Sequence, residues 1–101
     1  MQNRKLRAPD DVASFVRSLH PDIKRKIRSG ISQILENPHA GKALKSDLSG
    51  LYSFPIGRFR IVNRIAGQEI TLIAIGPRKT IYQETARLLT RPVEQRRKLI
   101  R

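Results

Sequence analysis

Six side chains in the C-terminal half of the sequence have the chemistry needed to hold a phosphate or a nucleotide base. They are Arg58, Arg60, Arg64, Arg78, Lys79 and Tyr82. Guanidinium groups donate hydrogen bonds in a fork that fits phosphate oxygens, and an aromatic ring stacks on an unpaired base. The combination favours RNA as a ligand. The plainer alternative is a solvated arginine face that only keeps the sheet soluble.

The spacing of the arginines predicts the element that positions them. Over residues 58–65 they alternate with apolar residues, so if the apolar side chains face a core, the arginines face away from it. Residues 51–57 alternate in the same way, with Ser53 and Pro55 pointing away from the apolar set. Residues 70–75 are almost continuously apolar, which predicts a strand buried on both faces. Turns at 57–58 and 66–68 would join the three strands into an antiparallel meander, with Pro55 at an edge or a bulge.

Helical spacing dominates the N-terminal part. Apolar residues recur at i, i+3, i+4 and i+7 over residues 10–19 and again over residues 21–36, with Pro21 suited to a first helical turn. The two helices form a hairpin with a shared apolar seam. Residues 4–8 fit a short strand, 37–50 a loop and 80–89 a third helix. The predicted fold class is α+β: two N-terminal helices packed on a small twisted antiparallel sheet, then a C-terminal helix.

Length and composition limit the function classes. The 101 residues predict one domain, 1–101, with a basic C-terminal tail over 90–101. Lys and Arg number 21 against 8 Asp and Glu, a net charge of +13 that attracts phosphate or acidic partners. The sequence has no cysteine, which excludes disulfides and thiol catalysis, and His20 and His39 lie far apart. We therefore expect no metal and no cofactor. No apolar run is long enough for a membrane span, so we expect a soluble, cytoplasmic protein.

Two segments resemble a known family. They are residues 43–65, ALKSDLSGLYSFPIGRFRIVNRI, and residues 70–89, ITLIAIGPRKTIYQETARLL. Their pattern, together with the element order along essentially the whole chain, is similar to the RelE/ParE superfamily of bacterial type II toxins. RelE-like members cleave mRNA, often in the ribosomal A site.

The resemblance implies an activity and a set of roles. Arg60, Arg78 and Tyr82 would occupy catalytic positions, and the remaining cations would bind RNA: Arg58, Arg64 and Lys79. The implied enzyme is a metal-independent endoribonuclease in which a ribose 2′-hydroxyl attacks the adjacent phosphate. The implied partners are an acidic antitoxin and mRNA on the ribosome, with rRNA contacts.

The sequence departs from the RelE pattern at one strand. RelE carries two lysines before the segment that corresponds to residues 59–62, and Ser53 and Pro55 stand at those positions here. The general base is therefore open, with Lys79, Arg58 and Glu84 as candidates. ParE-like members, which act on DNA gyrase, also lack that catalytic set. Two alternatives follow: a non-cleaving gyrase inhibitor, and a basic nucleic-acid-binding module.

Overall fold

A computed structural model describes residues 4–90, in which three α-helices and five strands follow one another along the chain. The elements are β1 (Lys5–Arg7), α1 (Asp10–Arg17), α2 (Pro21–Glu36), β2 (Lys42–Ala43), a 3-10 helix (Ser46–Leu48), β3 (Leu51–Ile56), β4 (Phe59–Ala66), β5 (Glu69–Pro77) and α3 (Ile81–Thr90). None of the helices within residues 4–90 is long and apolar enough to cross a membrane. Of the predicted basic tail, residues 91–101 lie outside the described part.

The strands form a single sheet in the order β1-β5-β4-β3-β2. The predicted meander of β3, β4 and β5 is confirmed, and the α+β fold class with it. The sheet is mixed and not wholly antiparallel, because β1 pairs with β5 in parallel. The long connection that a parallel pairing requires runs from Arg7 to Glu69 and contains the helical hairpin and strands β2 to β4. At the opposite edge, β2 pairs only with Tyr52 and Ser53 of β3. Pro55 therefore lies on the open edge of the sheet. A proline has no backbone N–H to donate, and at an open edge no neighbouring strand needs that hydrogen bond.

The helical hairpin covers one face of the sheet. Pro21 opens α2, and the ring of His20 accepts a hydrogen bond from the backbone N–H of Asp22 at 3.1 Å. The core beneath the hairpin contains Ile27 and Ile61, which have no exposed surface. Both helices therefore form where the apolar spacing predicts them.

The other face of the sheet is partly covered as well. A second core there contains five buried side chains: Leu51, Val62, Ile73, Ala74 and Ile81. The sequence predicts a row of guanidinium groups on this face, and the structure differs beneath α3, where the second core covers the sheet. A β-bulge adds a residue to this second core. Val62 pairs with Ala74 and Asn63 with Leu72, so Ile73 is an extra residue on β5 and joins Ala74 in the core. The arginines occupy the part of the face that α3 leaves open.

Candidate active site

A buried serine lies at the centre of the arginine face. Ser53 pairs with Val62 across the β3–β4 ladder, and Arg60 is two residues before Val62 on the same face. Such diagonal neighbours are about 7–8 Å apart, which an arginine side chain spans. Arg60 Nη1 donates to Ser53 Oγ at 3.0 Å, and Ser53 has no exposed surface. The ladder register thus fixes the guanidinium of Arg60 over the sheet.

The third helix brings a tyrosine to the same oxygen. Ile81, which is fully buried, anchors the first turn of α3, and Thr85 Oγ1 donates back to the Ile81 carbonyl at 2.7 Å. Tyr82, the next residue along the helix, places its hydroxyl 3.1 Å from Ser53 Oγ. Arg60, Ser53 and Tyr82 therefore form one hydrogen-bonded group, which we name the Arg60–Ser53–Tyr82 cluster.

The remaining cations gather at the end of β5. A hollow of about 500 Å³ is lined by Gly57, Arg58, Pro77, Arg78 and Lys79, and we name it the basic hollow. Gly57 turns the chain from β3 to β4 with a φ of 55°, a left-handed conformation that glycine adopts without strain. The backbone N–H of Arg78 donates to the Arg58 carbonyl at 3.0 Å, which holds the two walls together.

The basic hollow lies beside the Arg60–Ser53–Tyr82 cluster. Arg58 lies in the turn before β4, two residues ahead of Arg60, so their Cα atoms are at most about 7 Å apart. Arg60 pairs across the ladder with Gly76, two residues before Arg78. The structure therefore brings five of the six predicted side chains to one end of the sheet.

Arg64 is the exception among the six. It lies on the same face as Arg60, as the alternation predicts, but its ladder partners are Leu51 and Thr71. Four residues along a strand correspond to about 13 Å. Arg64 therefore does not line the basic hollow, and a direct role there is not supported by its position.

The site carries uncompensated positive charge. The ion pairs between described side chains join Arg7 to Glu69 and join Asp22 to Arg25 and His20. None of them involves a cation of the site. Because no described acid neutralises these groups, their fields add, and the arrangement attracts an anion.

The described residues offer few proton acceptors to this site. His39 lies on the opposite face of the sheet, where its Nδ1 is 3.1 Å from the Tyr52 hydroxyl. Lys79 lines the basic hollow, and the side chain of Glu84 lies outside the described part. Within residues 4–90 no group of three His, Asp or Glu side chains is placed to hold a metal ion. What the site shows is exposed or half-buried cationic side chains and the two hydroxyls of Ser53 and Tyr82.

Sequence reasoning missed the role of Ser53. It treated this residue as the loss of a lysine, whereas the structure places its hydroxyl between Arg60 and Tyr82. A signal was present, because the alternation of β3 and β4 put Ser53 and Arg60 on one face. The strand pattern alone does not predict where α3 packs, so it could not show that Tyr82 reaches Ser53.

The comparisons with known proteins agree with this geometry. Residues 5–82 match the family described as the ParE toxin of the type II toxin–antitoxin system parDE. A comparison with curated protein sequences gave no match.

Solved structures show the same fold. The RelBE2 toxin–antitoxin complex from Mycobacterium tuberculosis is similar at a TM-score of 0.67 and 21% identity, over 77% of this chain and 94% of that one. The intact E. coli RelBE complex is similar at 0.65 and 14%, over 74% and 96%. The isolated E. coli RelE toxin is similar at 0.65 and 18%, over 86% and 99%. Since the family match covers most of the sequence, the chain belongs to the ParE toxin family of type II toxin–antitoxin systems, within the RelE/ParE superfamily.

Proposed function

We propose that this toxin inhibits translation by cleaving mRNA on the ribosome at the Arg60–Ser53–Tyr82 cluster. The observation that supports the proposal is the position of the cluster beside the basic hollow. Arg60 is half-buried and held by Ser53 at 3.0 Å, while Arg58, Arg78 and Lys79 line the adjoining hollow. An RNA backbone laid across this end of the sheet would meet Arg60, which the ladder positions, and then the exposed cations of the hollow.

The chemistry that suits these groups is transfer within the RNA strand. The ribose 2′-oxygen bonds to the adjacent phosphorus, the bond from phosphorus to the 5′-oxygen breaks, and a 2′,3′-cyclic phosphate and a 5′-hydroxyl result. Charge develops on the phosphate oxygens, and preorganised donors stabilise it. We assign that role to Arg60 and Arg78. Tyr82 contacts the nucleotide or exchanges a proton with it.

Induction of the protein in cells followed by mapping of mRNA 5′ ends tests the proposal. The wild-type chain should create new ends within translated regions. Arg60→Ala and Arg78→Ala should each lower their yield by about 10²–10³, the usual loss for one preorganised donor. Arg28→Ala, which removes an equal charge from the exposed side of α2, is the matched control and should cleave normally. A toxic wild-type chain that makes no new ends would remove the nuclease proposal.

A second candidate function, inhibition of DNA gyrase without RNA cleavage, is favoured by one observation. Ser53 and Pro55 occupy the strand positions where RelE has lysines, and the described side chains of the cluster include no carboxylate or imidazole. A supercoiling assay with purified gyrase separates the two functions. Inhibition of supercoiling by a chain that leaves mRNA intact would establish this second function in place of the first.

The partner that we propose for either function is a cognate antitoxin with an acidic segment. The structural neighbours include toxin–antitoxin complexes, and the net charge of +13 favours an acidic ligand. The basic hollow is the natural place for its carboxylates, because the hollow's cations have no acidic partner among the described side chains. If a small acidic reading frame lies next to the gene, its co-expression should restore growth, and an acidic protein from it that binds without restoring growth would contradict the assignment.

A further inference from the structure

The hydrogen bonds of Ser53 limit what Tyr82 can do. A hydroxyl has one hydrogen to donate and two lone pairs to accept with. Arg60 can only donate, so its Nη1 at 3.0 Å occupies one lone pair of Ser53 Oγ. Since Ser53 has no exposed surface, the hydrogen of its own hydroxyl needs an acceptor within the protein.

The hydroxyl of Tyr82 donates to Ser53 Oγ at 3.1 Å, and two facing hydroxyls can exchange these roles. While Tyr82 donates, the described hydrogen bonds give the hydrogen of Ser53 no acceptor. When Ser53 donates instead, its hydrogen reaches Tyr82 Oη, and the hydrogen of Tyr82, a partly exposed residue, becomes available to a ligand. A negatively charged oxygen arriving at Tyr82 favours this second direction.

We infer that Ser53 is a positioning residue that presents Tyr82 as the proton donor to the leaving 5′-oxygen. This inference rests on the proposed RNA cleavage. The chain runs from the Arg60 guanidinium to Ser53 Oγ, then to Tyr82 Oη and then to the leaving oxygen. Each donor polarises the next, so the positive charge at the start strengthens the hydrogen bond that Tyr82 donates to the leaving oxygen.

The step balances without a metal or a further reactant. The 2′-oxygen bonds to phosphorus, and its proton goes to solvent. The bond from phosphorus to the 5′-oxygen breaks, and its electron pair stays on that oxygen, which takes the proton of Tyr82. Solvent then returns a proton to Tyr82. Ser53 forms and breaks no covalent bond in this reaction. Its hydrogen bond only directs the Tyr82 hydrogen toward the leaving oxygen.

The test replaces the 5′-oxygen of the scissile bond with sulfur in an mRNA on programmed ribosomes. A thiolate leaves without being protonated, so the sulfur substrate does not need the proton donor. Ser53→Ala and Tyr82→Phe should each slow cleavage of the oxygen substrate by at least tenfold, within the range of about 10²–10⁴ for general acid catalysis. Both variants should cleave the sulfur substrate within about threefold of the wild-type rate.

Two matched controls fit this experiment. Tyr52→Phe removes the other tyrosine hydroxyl, which lies on the opposite face of the sheet with His39, and Ser49→Ala removes an exposed hydroxyl. Both should cleave the two substrates like the wild type. Ser53→Cys, with a weaker hydrogen-bonding group of similar size, should behave like Ser53→Ala and serves if the alanine variant folds poorly.

The outcomes separate the inference from the proposed function. Equal losses on both substrates would show that Ser53 acts through structure alone and would overturn the inference. A Ser53→Ala rate equal to the wild-type rate on the oxygen substrate would also overturn it, with the proposed cleavage intact. A folded wild-type chain that cleaves neither substrate would overturn the proposed cleavage and the inference together.

Discussion

The basic hollow makes a quantitative prediction about how RNA binding depends on salt. Arg58, Arg78 and Lys79 line one hollow of about 500 Å³, and no acid whose side chain is described pairs with them. Each cation that contacts an RNA phosphate releases a counterion when it binds, so it contributes about −0.7 to the slope of log K against log salt for a single strand. Removing all three by alanine substitution should therefore flatten the slope by about 2.

Each of these substitutions should change the affinity for RNA only modestly, even though the slope changes clearly. These cations are exposed, and an exposed ion pair contributes up to about 1 kcal/mol because water and salt screen it. Each single variant should therefore weaken binding by no more than about fivefold. The slope is the sharper observable, since it counts contacts and does not depend on their strength.

Fluorescence anisotropy with a labelled single-stranded RNA over a range of salt concentrations measures both quantities. Arg28→Ala removes the same charge on α2 and should leave the slope unchanged. Arg64→Ala is the more demanding comparison, because this residue shares the face of β4 but lies about 13 Å from Arg60. A triple variant with the wild-type slope would refute the assignment of the hollow, and a flattened slope for Arg64→Ala would extend the binding surface along the strand.

Three predictions concern stability in denaturant unfolding. A Cβ at Gly30 would overlap Cδ1 of Ile56, so Gly30→Ala should lower the free energy of unfolding by about 1 kcal/mol, and adding Ile56→Val should restore it. Asn63 is 1% exposed with an unpartnered Nδ2, so Asn63→Leu should raise stability by about 1 kcal/mol. Arg4 Nη1 donates to the Leu35 carbonyl at the end of α2 at 2.6 Å, so Arg4→Ala should cost about 1 kcal/mol. The opposite sign in any of the three would contradict the packing described.

Local patterns were enough to predict most of the fold. The helical spacing of residues 10–36 and the alternation of residues 51–65 each depend on one buried face, and a buried face leaves a period in the sequence. The continuous apolar run of β5 indicated burial on both faces, which the two cores confirm. The short strand β1 lies within the predicted residues 4–8. The strand β2 was missed inside the predicted loop 37–50, because it has two residues and takes its strand geometry from its pairing with β3.

The site was only partly predictable for the same reason. Strand parity placed Arg60 and Ser53 on one face without any knowledge of the fold. It did not show that α3 folds back over that face and carries Tyr82 to the serine. The alternation along β4 places Arg64 on the same face as Arg60, but the four-residue separation keeps Arg64 away from the hollow. Contacts between elements far apart in the sequence leave no local pattern, and these contacts define the cluster.

The central claim is that this toxin acts on RNA during translation, through the cluster and the hollow. Pulse-labelling of induced cells, with amino-acid and thymidine incorporation followed separately, tests it most directly. We predict that amino-acid incorporation falls first in cells that make the wild-type chain and stays normal in cells that make Arg60→Ala. Arrest of thymidine incorporation while protein synthesis continues would contradict the claim and indicate DNA gyrase as the target.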